Sequence, residues 1–157
     1  MQPLGWRADN ASMVDRRSMI ARQFIEAIPH SKQLGMSLTS IGEGTAEICM
    51  PYDLRLVGET KSGVIHGGAV SALMDTCGGA AVMSHPVAPI ATATLDLRID
   101  YMRSATPGQD IVAKATCYHV TRTVAFVRAV ALDEDENNPV ATATGAFTIS
   151  LPKSVET

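Results

Sequence analysis

The most unusual side chain in the sequence is a carboxylate. Asp75 lies inside a nearly unbroken apolar run, His66-Gly-Gly-Ala-Val-Ser-Ala-Leu-Met-Asp-Thr-Cys-Gly-Gly-Ala-Ala-Val-Met83, flanked by Leu73, Met74, Cys77 and Ala80. Carboxylates are almost never buried without a partner, because desolvating the charge is costly. Either Asp75 hydrogen-bonds a neighbouring turn or a second chain, or it is a base or nucleophile in a dry cleft, where burial raises its pKa and its basicity. His66-Gly67-Gly68 opens the same run. The first N–H groups of a helix have no internal partner, and the helix dipole adds about half a positive charge there. Glycine leaves that backbone open to a substrate. The motif is therefore either an ordinary glycine-containing cap or an oxyanion hole, whose donors are worth roughly 3–4 kcal/mol each in acyl transfer.

Spacing decides how the two groups can cooperate. Gly67 and Asp75 are eight residues apart, which along a helix is about 12 Å. A reacting carbonyl must lie about 3 Å from its donor, with its attacker close by. One chain cannot bring its own Asp75 to its own Gly67. If both act, two chains must lay these helices antiparallel, and a C2 dimer then has two equivalent sites. An open sheet edge continued across the axis is one way to build the pair. Other reactive side chains form no such set. His30, His85 and His119 stand apart from one another and from Asp75, so no metal centre is expected. Ser71 has no nucleophile elbow or His–Asp relay. His66 reads as a residue that fixes its loop by a hydrogen bond rather than as a proton carrier. Cys49, Cys77 and Cys117, odd in number and without a CxxC pair, read as thiols in a reducing compartment, with Cys77 packed in the core.

Around these groups the elements can be read in turn. Residues 12–28 suit a helix, capped by Asn10 or Ser12, with Ile20, Phe24 and Ile28 four apart and Pro29 as its stop. Leu34–Tyr52 reads as a hairpin about Gly42-Glu43-Gly44, its second arm alternating Ala46, Ile48 and Met50, and 53–63 as a polar loop. Residues 66–84 are apolar around the whole circumference, which predicts a helix buried on most sides, closed by His85-Pro86. Strands follow at 94–102, 111–120, 124–132 and 140–149. The first sets Leu95, Leu97, Ile99 and Tyr101 on a packed face and Asp96, Arg98 and Asp100 on a wet one. The fold class is α+β, an antiparallel sheet whose packed face wraps one inserted helix.

Composition sets the outer bounds. With 157 residues, 46% of them hydrophobic and 18% charged, the chain can bury the core of one domain. Sixteen acidic against 13 basic residues leave −3, which lacks the basic footprint that nucleic acid or an anionic membrane demands. Charges from Arg7 to Glu26 break any signal-peptide core, and the most apolar stretch, 63–83, carries His66, Asp75 and five glycines, against a membrane span. A cytoplasmic protein is expected, and the Asn10-Ala11-Ser12 sequon reads as a chance match.

Two stretches carry a resemblance. Gly63-Val-Ile-His-Gly-Gly-Ala-Val-Ser-Ala-Leu-Met-Asp-Thr-Cys-Gly78, followed by Thr94-Leu-Asp-Leu-Arg-Ile-Asp-Tyr101, is similar to the hotdog-fold acyl-CoA thioesterases of the phenylacetyl-CoA thioesterase (PaaI-like) branch. The similarity spans about residues 35–150, and the specific part is an Asp nine residues after the histidine of His-Gly-Gly. The resemblance implies a hotdog fold, an antiparallel sheet around one long central helix, with 1–33 as an N-terminal arm and helix, 34–152 as the thioesterase domain and 153–157 as a tail. It implies hydrolysis of an acyl-CoA to free acid and coenzyme A, with no metal or redox cofactor, by a homodimer often paired again into a tetramer. Asp75 would be general base or nucleophile, Gly67 N–H of the opposite subunit the oxyanion donor, and Thr94 a residue that holds the water. His66 and Gly68 would adjoin the substrate. Where the family has an asparagine six residues before the histidine that helps orient the carbonyl or water, this chain has Thr60, which would take that catalytic place with one hydrogen bond but lacks the amide's pair of groups. Glu59 beside it is either a second carboxylate at the substrate or a solvated loop charge. Of Arg98, Arg103, Arg122 and Arg128, one or two would meet coenzyme A phosphates, the rest being salt-bridged surface positions. Two rival activities are a hotdog hydratase or dehydratase, which needs a histidine paired with the carboxylate, and a non-catalytic acyl-CoA-binding dimer.

Overall fold

The computed structural model describes residues 27–151 together with Met19, Gln23 and Ile25. Met19, Gln23, Ile25 and Ala27 are helical, within the helix expected at 12–28. The remainder of that helix, its capping residues Asn10 and Ser12 and the tail 153–157 lie outside the described residues. Pro29 does more than stop the chain. It opens a short helix, α1 (Pro29–Gln33), because at the first helical position its missing N–H costs nothing.

β1 (Ser37–Gly42) and β2 (Thr45–Met50) pair as the expected hairpin, with Ala46, Ile48 and Met50 buried. The polar loop at 53–63 is more ordered than expected. Asp53 caps a 3-10 turn at Leu54–Leu56, and β3 (Val57–Glu59) pairs with β4 (Val64–Ile65) in a separate ribbon that delivers the chain to the central helix. That helix, α2, spans Gly67–Met83. It is followed by β5 (Ala91–Tyr101), β6 (Ile111–Val120), β7 (Val124–Leu132) and β8 (Ala141–Ser150). Six strands form one antiparallel sheet in the order β1-β2-β6-β7-β8-β5.

α2 lies on this sheet, and Leu73, Met74, Cys77 and Val82 join Ile48, Met50, Ile111, Val127 and Phe147 in one buried cluster. Gly78 sets how closely helix and sheet approach, since a Cβ there would come within 2.9 Å of Phe147 Cζ. Cys77 Sγ sits 3.3 Å from the carbonyls of Ala46 and Ala113, and burial pushes its thiol up to about 12. The helix is not buried all round, however. Gly68, Ser71, Ala72, Asp75 and Thr76 form a partly open stripe at helical spacing on the side towards β5.

β5 departs most from expectation. It begins at Ala91, and a bulge between Thr94 and Asp96 breaks the alternation. Leu95 is 58% exposed and Tyr101 49%, although strict alternation places both on the packed face. Among the described residues β5 pairs only with β8, which leaves its other edge open to them. Just past its end, Arg103 grips Asp133 with two bonds of 2.6 and 2.7 Å and also donates to the Asn138 carbonyl, tying β5 to the β7–β8 connection. The Asp133 side chain is fully buried, and the guanidinium holds its carboxyl well below the usual carboxylate range.

Candidate active site

The donor end is the first turn of α2. His66 is its N-cap in extended backbone, and its Nδ1 accepts the Gly68 N–H at 2.9 Å. An accepting Nδ1 places the ring proton of the neutral imidazole on Nε2. Position 68 needs glycine, since a Cβ there would lie 2.9 Å from that Nδ1. Ala69 N–H donates to the His66 carbonyl at 2.9 Å. Two of the first three donors are therefore spent. Among the described residues the Gly67 N–H meets no acceptor, and Gly67 lines a cavity of about 300 Å³. Tyr101 lines the same cavity, its Oη 2.5 Å from the Gly67 carbonyl oxygen and 2.7 Å from Ser71 Oγ.

The acid end lies further along the helix. Asp75 is half-buried, not enclosed as its apolar neighbours suggest, because it falls on the open stripe. Its Oδ1 accepts from Thr94 Oγ1 at 2.7 Å, while Oδ2 takes no hydrogen bond among the described residues. Thr94 thus holds the acid directly. Asp75 lines a second cavity, about 280 Å³, with Thr92, Thr94, Phe147, Ile28 and His30. His30 is therefore not remote from Asp75 as its sequence position suggests, since α1 carries it to this cavity. Gly67 lines one cavity and Asp75 another, eight residues apart on one helix, a rise of about 12 Å.

The remaining candidates lie elsewhere. Thr60 and Glu59 are exposed where β3 turns back to β4 and line neither of these cavities. Both carboxylate oxygens of Glu59 accept from its own turn, from Ser62 N–H at 2.9 Å and Lys61 N–H at 3.1 Å, and the Ser62 side chain first, then these N–H groups, hold its pKa below the ordinary value. Exposed Arg98 pairs with Asp100 at 3.0 Å, and Arg128 stacks 4.4 Å over the Tyr118 ring. Arg103 is committed to Asp133, and Arg122 is exposed before β7. A third cavity, about 330 Å³, lies beside the helix cap between His30, Arg55, Leu56, His66 and Gly68. Among the described residues no group of three or more His, Cys, Asp or Glu is placed to hold a metal ion, and no helix is long and apolar enough to cross a membrane. Sequence reasoning missed Tyr101 and Ser71 as site residues. Their only signal is a hydroxyl one turn past Gly67 and another at a strand end, and neither announces the contact.

The arrangement can stabilise an oxyanion at one end of α2 and take up a proton at the other. A thioesterase superfamily profile matches residues 62–140, a span that includes Gly67, Asp75, Thr94 and Tyr101. A crystal structure of a Pseudomonas aeruginosa protein is similar at 38% identity and a TM-score of 0.75, over 87% of this chain and 98% of that one. The E. coli PaaI protein from the phenylacetic acid degradation operon superposes with a TM-score of 0.78 at 21% identity, over 88% of this chain and 96% of its own. A Streptococcus mutans protein bound to acetyl-CoA gives 0.65 at 22%, over 74% and 89% of the two chains. At such identities these last two likenesses concern the fold. A Halobacterium salinarum protein described provisionally as an esterase is 36% identical over 94 residues, 58% of this chain, and the match spans 61% of that relative's length. The sheet and its central helix form the hotdog fold, and with a family match over half its length the chain belongs to the thioesterase superfamily.

Proposed function

We propose that this protein hydrolyses an acyl-CoA thioester to a free acid and coenzyme A, as a C2 homodimer in which Asp75 of one subunit faces Gly67 of the other. The observation that carries the proposal is the division of labour along α2. An N–H donor and a carboxylate oxygen, each without a partner among the described residues, line different cavities of one chain, so in this reading a second chain completes each site. Family membership supports thioester chemistry, and the acetyl-CoA-bound structural neighbour supports coenzyme A as the carrier. The open edge of β5, with Leu95 and Tyr101 exposed along it and Met102 just beyond, is the surface on which we place the partner. The small side chains of the open stripe on α2 leave room for a second helix beside it.

In this reading the thioester oxygen sits on the Gly67 N–H, where the helix dipole stabilises the charge that develops on it. Water adds its hydroxyl to the carbonyl carbon and passes a proton to Asp75 Oδ2. The C–S bond then breaks, and the thiolate recovers that proton. Direct attack by Asp75 would use the same free oxygen. Thr94 holds Oδ1, while His66 and Gly68 shape the donor. Exposed Arg98 is a candidate for the coenzyme A portion, whereas exposed Thr60 lines none of the three cavities and the Glu59 carboxylate is spent on its own turn. Free thiols at Cys49, Cys77 and Cys117 suit a reducing compartment, and cytoplasmic residence is part of the proposal. A dimer paired again into a tetramer is compatible with it.

The test is incubation with aryl-, short- and long-chain acyl-CoA esters beside a thiol reagent. Thiol release is expected, and Asp75→Asn should lower kcat by at least about 10²-fold with the dimer intact. Near-wild-type turnover by that variant would overturn the assignment. One observation favours a second reading: His30 lines the Asp75 cavity, and a hydratase needs a histidine near its carboxylate. Loss of enoyl absorbance without thiol release would select that activity instead.

A further inference from the structure

We propose that Tyr101 is a positioning residue that aims the Gly67 N–H, an inference that rests on reading Gly67 as the oxyanion donor. The peptide between Gly67 and Gly68 is held at both ends. Its carbonyl accepts from Tyr101 Oη at 2.5 Å, and its N–H donates to His66 Nδ1 at 2.9 Å. The preceding peptide is held by Ala69 N–H on the His66 carbonyl at 2.9 Å. These three bonds fix the planes on either side of the Gly67 Cα, at a residue whose backbone is otherwise the freest of all. The direction of the Gly67 N–H is thereby set although no acceptor meets it among the described residues. A donor aimed in advance needs no reorganisation when charge appears on the substrate oxygen.

The protons can be assigned. Three oxygen contacts share two hydroxyl hydrogens: Tyr101 Oη to Gly67 O at 2.5 Å, Ser71 Oγ to Tyr101 Oη at 2.7 Å, and Ser71 Oγ to Gly67 O at 3.2 Å. The two short contacts take them. Ser71 donates to Tyr101, and Tyr101 donates to the Gly67 carbonyl, a relay in which the first bond strengthens the second. Within the single chain, fold stability alone gives little reason for this network, because there Tyr101 is 49% exposed at the end of an edge strand.

Tyr101→Phe in the full-length protein deletes the hydroxyl and keeps the ring. We expect kcat for acyl-CoA to fall about tenfold, the scale of one hydrogen bond. KM, the melting temperature and the dimer should be unchanged, and amide hydrogen exchange at Gly67–Ala69 should be faster. Ser71→Ala should lower kcat in the same direction by less. Wild-type kcat in Tyr101→Phe would overturn the proposal, as would a loss that appears only with a lower melting temperature. If Asp75→Asn is inactive and Tyr101→Phe is not, only the positioning role falls. If wild-type protein releases no thiol from any ester, the hydrolase reading falls instead. Amide exchange then decides the positioning role, faster exchange upholding it and unchanged exchange overturning it.

Discussion

At position 66 an imidazole does for its helix what serine or aspartate does for most. Its Nδ1 takes the Gly68 N–H, and a side-chain cap of this kind is worth about 1 kcal/mol. His66→Ala should lose roughly that much stability in urea unfolding, whereas His66→Asn, whose amide oxygen can accept the same N–H, should retain most of it. Equal stability of the alanine variant and wild type would contradict the capping role. Asp75, Gly67 and His66 were legible in the sequence because each is anomalous where it stands: an acid among apolar residues, and a glycine pair behind a histidine at a helix start. Tyr101, Ser71 and His30 were not, since they reach the candidate site through contacts across 30 or more residues or through a turn hidden behind a proline. The exposure of Asp75 was misread for a related reason. Apolar neighbours along a helix signal burial, but the stripe they leave open faces β5 and the sheet edge beyond it.

At the scale of elements, alternation was a sound guide to the bounds of the central strands, even though the β6–β7 register shifts between Cys117 and His119. The strands read at 111–120 and 124–132 coincide with β6 and β7. It failed at β5, where a bulge turns Leu95 outwards, and at 53–63, where a two-stranded ribbon is too short for periodicity to register. The Arg103–Asp133 pair that ties β5 to the β7–β8 connection makes an electrostatic prediction. The native carboxyl of Asp133 is held below its ordinary value by the guanidinium. Its contribution is therefore fully present above the unfolded-chain value of about 3.9, and is lost as pH falls through the lowered native value. Asp133→Asn should flatten the acid limb of a stability–pH curve. Arg103→Ala, which leaves a buried charge unpaired, should cost about 3 kcal/mol at neutral pH. An acid limb as steep in Asp133→Asn as in wild type would contradict the assignment.

At the scale of the whole molecule, the proposed reading puts both halves of the chemistry on α2, whose length keeps them apart. The same strand holds both halves, Thr94 at the acid and Tyr101 at the donor carbonyl, and its free edge is where the second chain is placed. Partner pairing and site geometry are then coupled through β5. A substitution suited to testing this is Gly67→Pro. Proline is favoured at the first helical position and removes the N–H. Its ring is an addition, with the Cβ at a contact distance of 3.4 Å from the Tyr101 ring, and His66, at φ −62 and ψ 132, already has the extended backbone that must precede a proline. Gly67→Pro and Asp75→Asn homodimers should each lose at least about 10² in kcat. The decisive measurement is thiol release after the two variants are mixed one to one and their subunits exchanged. Half the dimers are then mixed and each has one intact site, so activity should recover to about a quarter of wild type. A mixture as inactive as its parents would mean that Gly67 and Asp75 do not serve one another across two chains.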